Sequence, residues 1–286
     1  MNRDVYAVEK MCACLGVGRA SYYRWLSRRD AARQAAMDKE AVEEQLRQVF
    51  EDSKGTYGAP RVQQALAKQG VVLSVSTVSR TMARLGLRAR KPARYTATTD
   101  SAHTNHVFEN VLARQFHVLH PNRVWLSDIT YLPTTWGWAY LTVVLDLADR
   151  MVVGWTVSRT LQAVDTSVAA LQVALQRRSL TGPLLLHSDR GVQYACQEFT
   201  ELVDTVSGLK QSMSRKGNCW DNAPMESFFK TLKTEWLNNK RFETMEQLTE
   251  ALFEYIECWY NTQRMHSALN YLTPLETHNQ LTHHVA

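Results

Sequence analysis

The chain has 286 residues, 45% of them hydrophobic, and a formal net charge of +5. Its length suggests one large domain or two to three small ones, with enough apolar side chains for a buried core. No run of about 18 apolar residues occurs, which excludes a membrane span, and the charged N-terminus lacks the features of a signal peptide. Five cysteines without a Cys-x-x-Cys pair indicate a reduced, cytoplasmic protein without a zinc site.

The positive charge is concentrated in the front part of the chain. Residues 1–100 carry 18 Lys+Arg and 10 Asp+Glu, a net charge of +8, whereas residues 101–286 carry 15 and 18, a net charge of −3. A basic front part indicates a polyanionic partner such as nucleic acid. Many basic stretches are simply solvated, so the charge alone does not identify that partner.

Residues 1–52 are predicted to form an N-terminal helical region that can contain a helix-turn-helix. Two short helices over residues 5–28 flank a Gly-Val-Gly turn, and the second combines cations, aromatics and a hydroxyl. That composition suits a helix in contact with DNA, but it equally suits an ordinary helical hairpin with an aromatic core. Residues 31–52 are mixed in charge and are predicted to form a solvated helical spacer.

Residues 53–92 have a clearer helix-turn-helix pattern and are predicted to be a DNA-binding domain. Pro60 suits the first turn of one helix, Gly70 ends that helix, and Ser74 or Ser76 can cap the next. The candidate DNA contacts on or just after the second helix are Arg80, Arg84 and Arg88. Clustered cations supply affinity for phosphates, although a small helical bundle with a solvated basic face has the same pattern.

Residues 93–115 are polar and without a clear period, and they are predicted to be a linker. Four histidines lie in or near it: His103, His106, His117 and His120. Since no cysteine pair accompanies them, they are interpreted as surface residues rather than metal ligands.

Residues 116–286 are predicted to form an α/β core with a C-terminal helical extension. The predicted strands are Val124–Pro133, Ala139–Ala148, Val152–Ser158, Pro183–Asp189 and Leu209–Ser214, and the predicted helices cover 163–177, 196–206, Asp221–Leu237 and 243–261. Three antiparallel strands followed by crossover strands and helices give a mixed five-stranded sheet with helices on both faces. The fold class is therefore α/β, a ribonuclease-H-like core preceded by a small all-α region.

Three carboxylates in this core are the candidate catalytic and metal-binding residues: Asp128, Asp189 and Glu226. Asp128 lies in the middle of an otherwise apolar strand, where a carboxylate is costly to bury unless it is paired or binds a metal. Asp189 ends the central strand, and Glu226 lies on the first turns of a helix that can pass beside both. Three oxygen ligands without His or Cys suit magnesium. Two such ions about 4 Å apart can align an in-line attack at phosphorus, with manganese as an alternative ion.

Other acids nearby have simpler explanations. Asp146 is interpreted as a structural acid, with metal binding as the less favoured alternative, and Asp149 as a turn residue. Asp221 is predicted to cap the helix that carries Glu226.

Basic side chains around the carboxylates are candidates for DNA contact. Lys230 and Lys233 follow Glu226 by four and seven residues, which predicts one shared helix face. These lysines can bind phosphates, and a solvated face is the alternative. Arg215 and Lys216 lie in the loop before the helix and can clamp DNA.

Two groups of residues in the C-terminal part are assigned without a catalytic role. The first is assigned to the core: Phe228, Phe229 and Trp236. The second follows the last predicted helix and is left open between DNA contact and packing: Tyr260, Asn261, Arg264 and His266.

Four motifs occur in order along the second half of the chain. They are Trp125-Leu-Ser-Asp-Ile-Thr-Tyr, His187-Ser-Asp-Arg-Gly-Val-Gln-Tyr, Ser212-Met-Ser-Arg-Lys-Gly-Asn-Cys-Trp-Asp-Asn-Ala-Pro-Met-Glu-Ser-Phe-Phe and Tyr260-Asn-Thr-Gln-Arg-Met-His-Ser-Ala-Leu. With them the chain resembles, over almost its whole length, the integrase-core OrfB transposases of bacterial insertion sequences, in the family named after insertion sequence three. The resemblance implies that Asp128, Asp189 and Glu226 are the Asp-Asp-Glu triad of this superfamily. One more residue than usual separates Asp189 from Glu226.

The resemblance implies a transposase that cleaves DNA at 3′ ends and joins the released hydroxyl to new phosphodiester bonds by a copy-out, paste-in route. The implied partners are double-stranded DNA with terminal inverted repeats, target DNA and an OrfA-type companion or fusion. A homo-oligomer in the DNA complex is expected, in a cytoplasmic, nucleoid-associated protein.

Two other functions stay open on the sequence alone. A structure-selective nuclease of the same fold would cut DNA without joining it, and the helix-turn-helix pattern argues against it. A non-catalytic repressor or a decayed element would not need three intact carboxylates and their motifs.

Overall fold

The computed structural model describes residues 6–90, 105–237 and 240–283, which fall into two compact units that divide between Ala89 and Arg90. The first unit is helical and the second is built on a β-sheet. In the described ranges no helix is both long and apolar enough to cross a membrane.

The first unit contains these helices in its described residues: α1 Val8–Cys14, α2 Arg19–Asp52, α3 Ala59–Lys68 and α4 Val75–Arg84. The turn between α3 and α4 follows the predicted signals. Gly70 has a φ of +86°, a conformation that glycine adopts without steric cost. Ser74 caps α4, because its hydroxyl accepts a hydrogen bond from the Thr77 amide at 3.1 Å. Val62 and Leu66 of α3 and Val78 and Met82 of α4 are buried, as their spacing predicts, whereas Ala65 and Leu85 are half-buried.

Helix α2 is one uninterrupted helix of 34 residues. The prediction of two separate helices, one ending by residue 28 and one starting at residue 31, was therefore wrong. Neither Gly nor Pro occurs between Arg19 and Asp52, Ala is frequent, and a change in charge pattern does not by itself end a helix.

The second unit is built on five strands: β1 Val124–Thr134, β2 Gly137–Asp146, β3 Val152–Ser158, β4 Leu184–Ser188 and β5 Leu209–Met213. Their order in the sheet is β3-β2-β1-β4-β5. The first three strands pair antiparallel, and β4 and β5 join them in parallel. This is the mixed, ribonuclease-H-like sheet that the sequence predicts.

The helices of the second unit are α5 Ser167–Arg177, α6 Val192–Ala195, α7 Gln197–Thr205, α8 Ala223–Leu232, α9 Met245–Phe253 and α10 Pro274–His283. Helices α8 and α9 continue into π-helical segments, Lys233–Leu237 and Glu254–Tyr260. The predicted helix over 196–206 is confirmed by α7, whereas α6 and α10 were not predicted.

The two faces of the sheet have different roles. On one face, side chains of α5, α6 and α7 form a hydrophobic core with Trp125, Val144 and Leu186. Successive residues of a strand point to opposite faces, so Asp128 lies on the face opposite Trp125. Helix α8 contacts β1, and its Glu226 interacts electrostatically with Asp128.

Candidate active site

Strands β1 and β4 bring two of the predicted carboxylates to the same place. The strands are parallel neighbours, and Ser127 is paired with Ser188. Asp128 follows Ser127 and Asp189 follows Ser188, so the two acids are neighbours across the β1–β4 pair. Neighbouring strands of a sheet lie about 4.8 Å apart. The predicted adjacency of the first and fourth strands is confirmed.

Glu226 is supplied by the first turns of α8. Pro224 occupies the start of this helix, where its missing N–H and fixed φ are tolerated. The opposite side of the helix is anchored by buried side chains: Met225, Phe228, Phe229 and Leu232. Trp236 is buried as well, so the three aromatic residues assigned to the core are confirmed.

The electrostatics of Asp128 show that Asp189 and Glu226 both act on this carboxylate. Burial raises the pKa of Asp128 well above its usual value, and the negative charges of Asp189 and Glu226 raise it further. The Ile129 amide donates a hydrogen bond to Asp128 Oδ1 at 2.8 Å, which opposes this shift. The group holds an excess of negative charge that a cation would offset.

The donor chemistry of this group fits magnesium. All three side chains offer oxygen, and within the described ranges no three His, Cys, Asp or Glu side chains already close around a common metal position. Magnesium typically takes one or two carboxylates and keeps several of its waters. Neighbouring carboxylates that do not form a closed cage are compatible with that preference.

The two lysines that follow Glu226 occupy different environments. Burial lowers the pKa of Lys233 to about 8, and the negative charge of Asp128 partly offsets this effect. Lys230 is exposed. Lys233 is therefore close to the carboxylates, whereas Lys230 faces solvent; contact of either with DNA stays a prediction.

Asp221 does not cap α8 as predicted. The helix begins at Ala223 after Asn222 and has no side-chain cap. The carboxylate of Asp221 is fully buried and accepts hydrogen bonds from Arg114 Nε at 2.8 Å and from Arg215 Nη2 at 2.8 Å. Asn110 and the Arg215 backbone amide also donate to it, at 2.8 and 3.0 Å. Asp221 thus fastens the loop before α8 to the segment before β1.

These contacts change the interpretation of the loop. The hydrogen bonds from Arg215 hold the pKa of Asp221 well below its usual range. The Arg215 side chain is still 55% exposed, and Lys216 is exposed. Arg215 therefore has a structural role that sequence reasoning missed, and DNA contact by Arg215 or Lys216 remains a prediction.

His187, two residues before Asp189, is the centre of a buried hydrogen-bond chain. Ser212 Oγ accepts from the amides of Val111 and Leu112 at 2.9 and 3.3 Å, so its own hydroxyl is left to donate to His187 Nδ1 at 2.9 Å. His187 Nε2 then carries the proton and faces Ser214 Oγ at 3.2 Å. Burial lowers the pKa of His187 to about 4. Since the partners are distant in sequence, no local signal identified this role.

Two acids of the β2–β3 turn have structural roles. Asp146 is buried and accepts hydrogen bonds from Trp125 Nε1 at 3.1 Å and from the Asn122 amide at 2.6 Å, which confirms its interpretation as a structural acid. Asp149 is also buried and pairs with Arg178 at 3.3 Å and His278 at 2.8 Å. It is therefore more than the turn residue that was predicted.

Three residues of the C-terminal cluster, Tyr260, Asn261 and Arg264, are used for packing, whereas His266 is half-buried and stays open between packing and DNA contact. Asn261 Oδ1 accepts a hydrogen bond from the Val152 amide at 2.9 Å, and Asn261 Nδ2 donates one to the Val152 carbonyl at 3.0 Å. These two bonds hold Asn261 against strand β3. Arg264 is buried and forms an ion pair with Glu235 at 2.7 Å. Tyr260 is buried beside Phe228, with ring centroids 4.8 Å apart.

The candidate DNA contacts of the first unit lie on or just after α4. Arg80, Arg84 and Arg88 are all exposed. Arg84 binds Glu43 of α2 at 2.6 Å, so part of its charge is already compensated. The histidines interpreted as surface residues are exposed at positions 106, 117 and 120, and His103 lies outside the described residues.

Comparison with known families and relatives matches three parts of the chain. Integrase core domain models match residues 119–219 and 207–274, and an HTH-like domain model matches residues 37–95. Transposase InsF for insertion sequence IS3A of Escherichia coli (strain K12) is 38% identical over 275 residues, covering 96% of this chain and 95% of the relative. An uncharacterized 31 kDa protein of insertion element IS600 from Shigella sonnei is 37% identical over 264 residues, covering 92% and 96%.

Two solved structures are also similar. A chain of the simian T-cell lymphotropic virus intasome in complex with PP2A regulatory subunit B56 gamma is 18% identical, with a TM-score of 0.47, and covers 76% of this chain and 70% of its own. The HTLV-2 integrase catalytic core domain in complex with magnesium (dimeric form) is 21% identical, with a TM-score of 0.41 and coverage of 56% and 98%.

Proposed function

Because this chain belongs to the IS3 family of insertion-sequence transposases, we propose that it cleaves DNA at the 3′ ends of its element and transfers those ends to new phosphodiester bonds. Asp128, Asp189 and Glu226 are the proposed catalytic residues. The observation that carries this proposal is the convergence of three carboxylates from β1, the end of β4 and α8, where burial and the negative charges of Asp189 and Glu226 raise the pKa of Asp128. Such a group is costly unless a cation and a substrate use it.

The three carboxylates would hold two magnesium ions, with manganese as an alternative. When bound, these ions supply Lewis-acid activation for an in-line displacement at phosphorus. In cleavage, water attacks the phosphodiester and releases the 3′-hydroxyl. In strand transfer, that hydroxyl attacks a second phosphodiester, so one phosphodiester forms as another breaks, and the oxygen that leaves takes up the proton of the attacking hydroxyl. Neither step needs a covalent protein intermediate or an energy-rich co-substrate. Asp128 and Asp189 are positioned by strands and Glu226 by a helix anchored in the core, which keeps the ligands fixed.

Lys233 is the basic group best placed to act beside the carboxylates. It is half-buried and electrostatically linked to Asp128. A cation at this depth would bind a phosphate oxygen next to the scissile bond, whereas the exposed Lys230 would hold a phosphate further along the duplex.

The first unit would bind the terminal inverted repeats of the element through α3 and α4. The exposed arginines on or after α4 supply charge for phosphate contacts. The remaining partners are target DNA, an OrfA-type companion or fusion and further copies of the chain in the DNA complex, in a cytoplasmic, nucleoid-associated protein.

The decisive experiment replaces each carboxylate by its amide: Asp128→Asn, Asp189→Asn and Glu226→Gln. Each variant is assayed with labelled element-end DNA, and cleaved and joined products are separated. We expect each to lose strand transfer by about 100-fold or more, since an ion-ligand contact contributes several kcal/mol to the transition state. Asp204→Asn, an exposed acid on α7, is the matched control. Strand transfer within about 10-fold of the unmodified rate in any of the three variants would refute the mechanism, and cleavage without joining by the unmodified chain would indicate a nuclease.

Metal binding can be tested separately from activity. Magnesium should raise the thermal unfolding temperature of the unmodified chain, because a ligand that binds only the native state stabilises it. The Asp128→Asn variant should lose most of this effect, and Asp204→Asn should keep it.

A further inference from the structure

The N-terminal half of α2 carries a basic surface that lies mostly outside the matched HTH-like segment, residues 37–95. Residues 19–37 contain five Arg and one Asp, whereas residues 38–52 contain six Asp or Glu and two Lys or Arg. Three exposed residues on one side of the basic part are named the α2 stripe: Arg24, Trp25 and Arg28. A large indole, 51% exposed, therefore lies among cations.

This arrangement is unfavourable for a helix with no partner. Arg24 and Arg28 are four residues apart, and like charges at that spacing destabilise a helix. The alternative of a hairpin whose core contains Tyr22, Tyr23 and Trp25 does not hold, because Tyr23 and Trp25 are 55% and 51% exposed and only Tyr22 is half-buried. The Arg29 guanidinium lies over the Trp25 ring at 5.0 Å. An anionic partner would relieve the repulsion between the arginines and cover the exposed part of the indole.

The geometry of α2 places the α2 stripe on the same side as α3 and α4. Steps of three and four residues follow one face of a helix, and here such steps connect the following positions: Arg24, Arg28, Ala32, Ala35, Lys39, Val42, Leu46 and Val49. The last two are the buried residues of α2, α2 contacts α3, and Glu43 binds Arg84 of α4. The face that packs on α3 and α4 thus continues into the α2 stripe.

The distance along the helix is close to the repeat of duplex DNA. From the middle of the α2 stripe to Glu43, which binds Arg84 of α4, is about 17 residues, or ~26 Å at 1.5 Å per residue, and to the buried Leu46 and Val49 it is about 21 residues, or ~32 Å. One turn of B-DNA is about 34 Å.

We propose that the α2 stripe is a second contact to duplex DNA, one helical turn from the contact made by α3 and α4 and on the same side of the duplex. Helix α2 then acts as a spacer of fixed length between the two contacts. This inference rests on the proposed DNA-end binding and adds to it a site outside the segment that the HTH-like model matches.

The first test is hydroxyl-radical footprinting of the full chain, without magnesium, on a duplex carrying the end of its own element. We expect two protected patches on one side of the duplex, about 10 base pairs apart. The Arg24→Ala/Arg28→Ala variant should lose one patch. On a duplex of arbitrary sequence, the slope of log affinity against log salt concentration should be about 1.8 smaller in magnitude for this variant. Each phosphate contact contributes about 0.9 to that slope, and the variant removes two.

The matched control removes the same charge from the other side of the helix. Arg19 and Arg33 are exposed, Arg19 within 3.5 Å of Glu9, and both lie roughly opposite the α2 stripe at about 100° per residue. The Arg19→Ala/Arg33→Ala variant should keep both patches and most of the slope. Circular dichroism and thermal unfolding of both variants verify that α2 remains folded.

A spacing variant tests the geometry itself. Two alanines inserted between Ala35 and Ala36 rotate the α2 stripe by about 200° and should remove its patch, whereas seven inserted alanines, about two turns, should keep the patch and move it by ~10 Å.

Unchanged patches and slope in Arg24→Ala/Arg28→Ala would overturn the inference. If this variant keeps both patches but light scattering shows an altered oligomeric state, the inference is also overturned. The α2 stripe would then bind the acidic residues 38–52 of a second copy of the chain. Neither result bears on the proposed strand transfer or on the expected effects of the carboxylate variants. Conversely, Asp128→Asn should keep both patches, so failure of the catalytic proposal is seen separately.

Discussion

Asp221 lies five residues before Glu226 and holds the loop from which α8 starts. Its carboxylate is shared by Arg114 and Arg215, and the Asn110 side chain completes the set. The position of a proposed metal ligand thus depends on contacts made more than 100 residues earlier in the chain.

We predict that Asp221→Asn lowers the free energy of unfolding by about 2–3 kcal/mol, since hydrogen bonds to charged groups are lost and an amide N–H faces guanidinium donors. Urea unfolding measures this, with Asp204→Asn as the exposed control. Strand transfer should fall as well, because the start of α8 is no longer fixed. A variant as stable as the unmodified chain would show that Arg114 and Arg215 hold the loop without this carboxylate.

His187 predicts a pH dependence of stability. Its pKa is lowered to about 4 in the folded chain from about 6.5 when unfolded. Between these values the unfolded chain binds more protons, so the stability contributed by neutral His187 is present above pH ~6.5 and is lost as the pH falls toward 4. The unmodified chain should lose up to ~3 kcal/mol more than His187→Gln over this range.

Urea unfolding at intervals between pH 7 and pH 4 gives the comparison. The exposed His106 supplies the control His106→Gln, which should follow the unmodified chain. Parallel pH profiles for His187→Gln and the unmodified chain would mean that His187 is protonated without loss of its hydrogen bonds.

At the scale of elements, the contact between β3 and α5 depends on Gly154. A Cβ at this position would lie 2.4 Å from the Ala170 carbonyl oxygen and 2.8 Å from Ala174 Cβ. Both are parts of a packed helix rather than flexible side-chain ends. We predict that Gly154→Ala destabilises the chain by about 1–3 kcal/mol, the usual cost of overpacking. The urea midpoint measures it, and Gly18→Ala, with its nearest contact at 3.8 Å, should cost clearly less.

Helix α4 offers a second prediction at this scale. Arg80 and Arg88 are exposed, whereas Arg84 is bound to Glu43. If the helix contacts phosphates, Arg80→Ala and Arg88→Ala should each lower the slope of log affinity against log salt by about 0.9. Arg84→Ala should lower it less, because its charge is already compensated by Glu43. Slopes for Arg80→Ala and Arg88→Ala equal to the slope of the unmodified chain would argue against phosphate contact by this helix.

Part of the fold and of the candidate site could be predicted from the sequence. The strands and the adjacency of Asp128 and Asp189 were predictable, because alternation, short turns and crossover order are local patterns with few topological solutions. The partners of Asp221 and His187 were not, since they come from segments distant in the chain. The continuity of α2 was missed because a change in charge pattern was taken for a boundary, although only Gly, Pro or a cap would mark one.

At the scale of the whole molecule, the proposed tasks are divided between two units. The carboxylates belong to the unit from Arg90 onward, and the α2 stripe and α4 to the unit before it. An enzyme built in this way binds DNA through groups that do not touch the reacting phosphorus. Such groups contribute equally to the ground state and the transition state, so their loss weakens binding without slowing the chemical step.

The division makes a kinetic prediction. Arg80→Ala/Arg88→Ala should raise the concentration of end DNA needed for half-maximal strand transfer about tenfold or more and leave the rate at saturating DNA nearly unchanged. Asp128→Asn should do the reverse, with a rate about 100-fold lower or more at unchanged DNA affinity. Rates measured over a range of DNA concentrations at fixed salt separate the two parameters, and lower salt should rescue only the arginine variant. A loss of saturated rate in the arginine variant would mean that the first unit also places the DNA end at the carboxylates, so that binding energy is used in the chemical step.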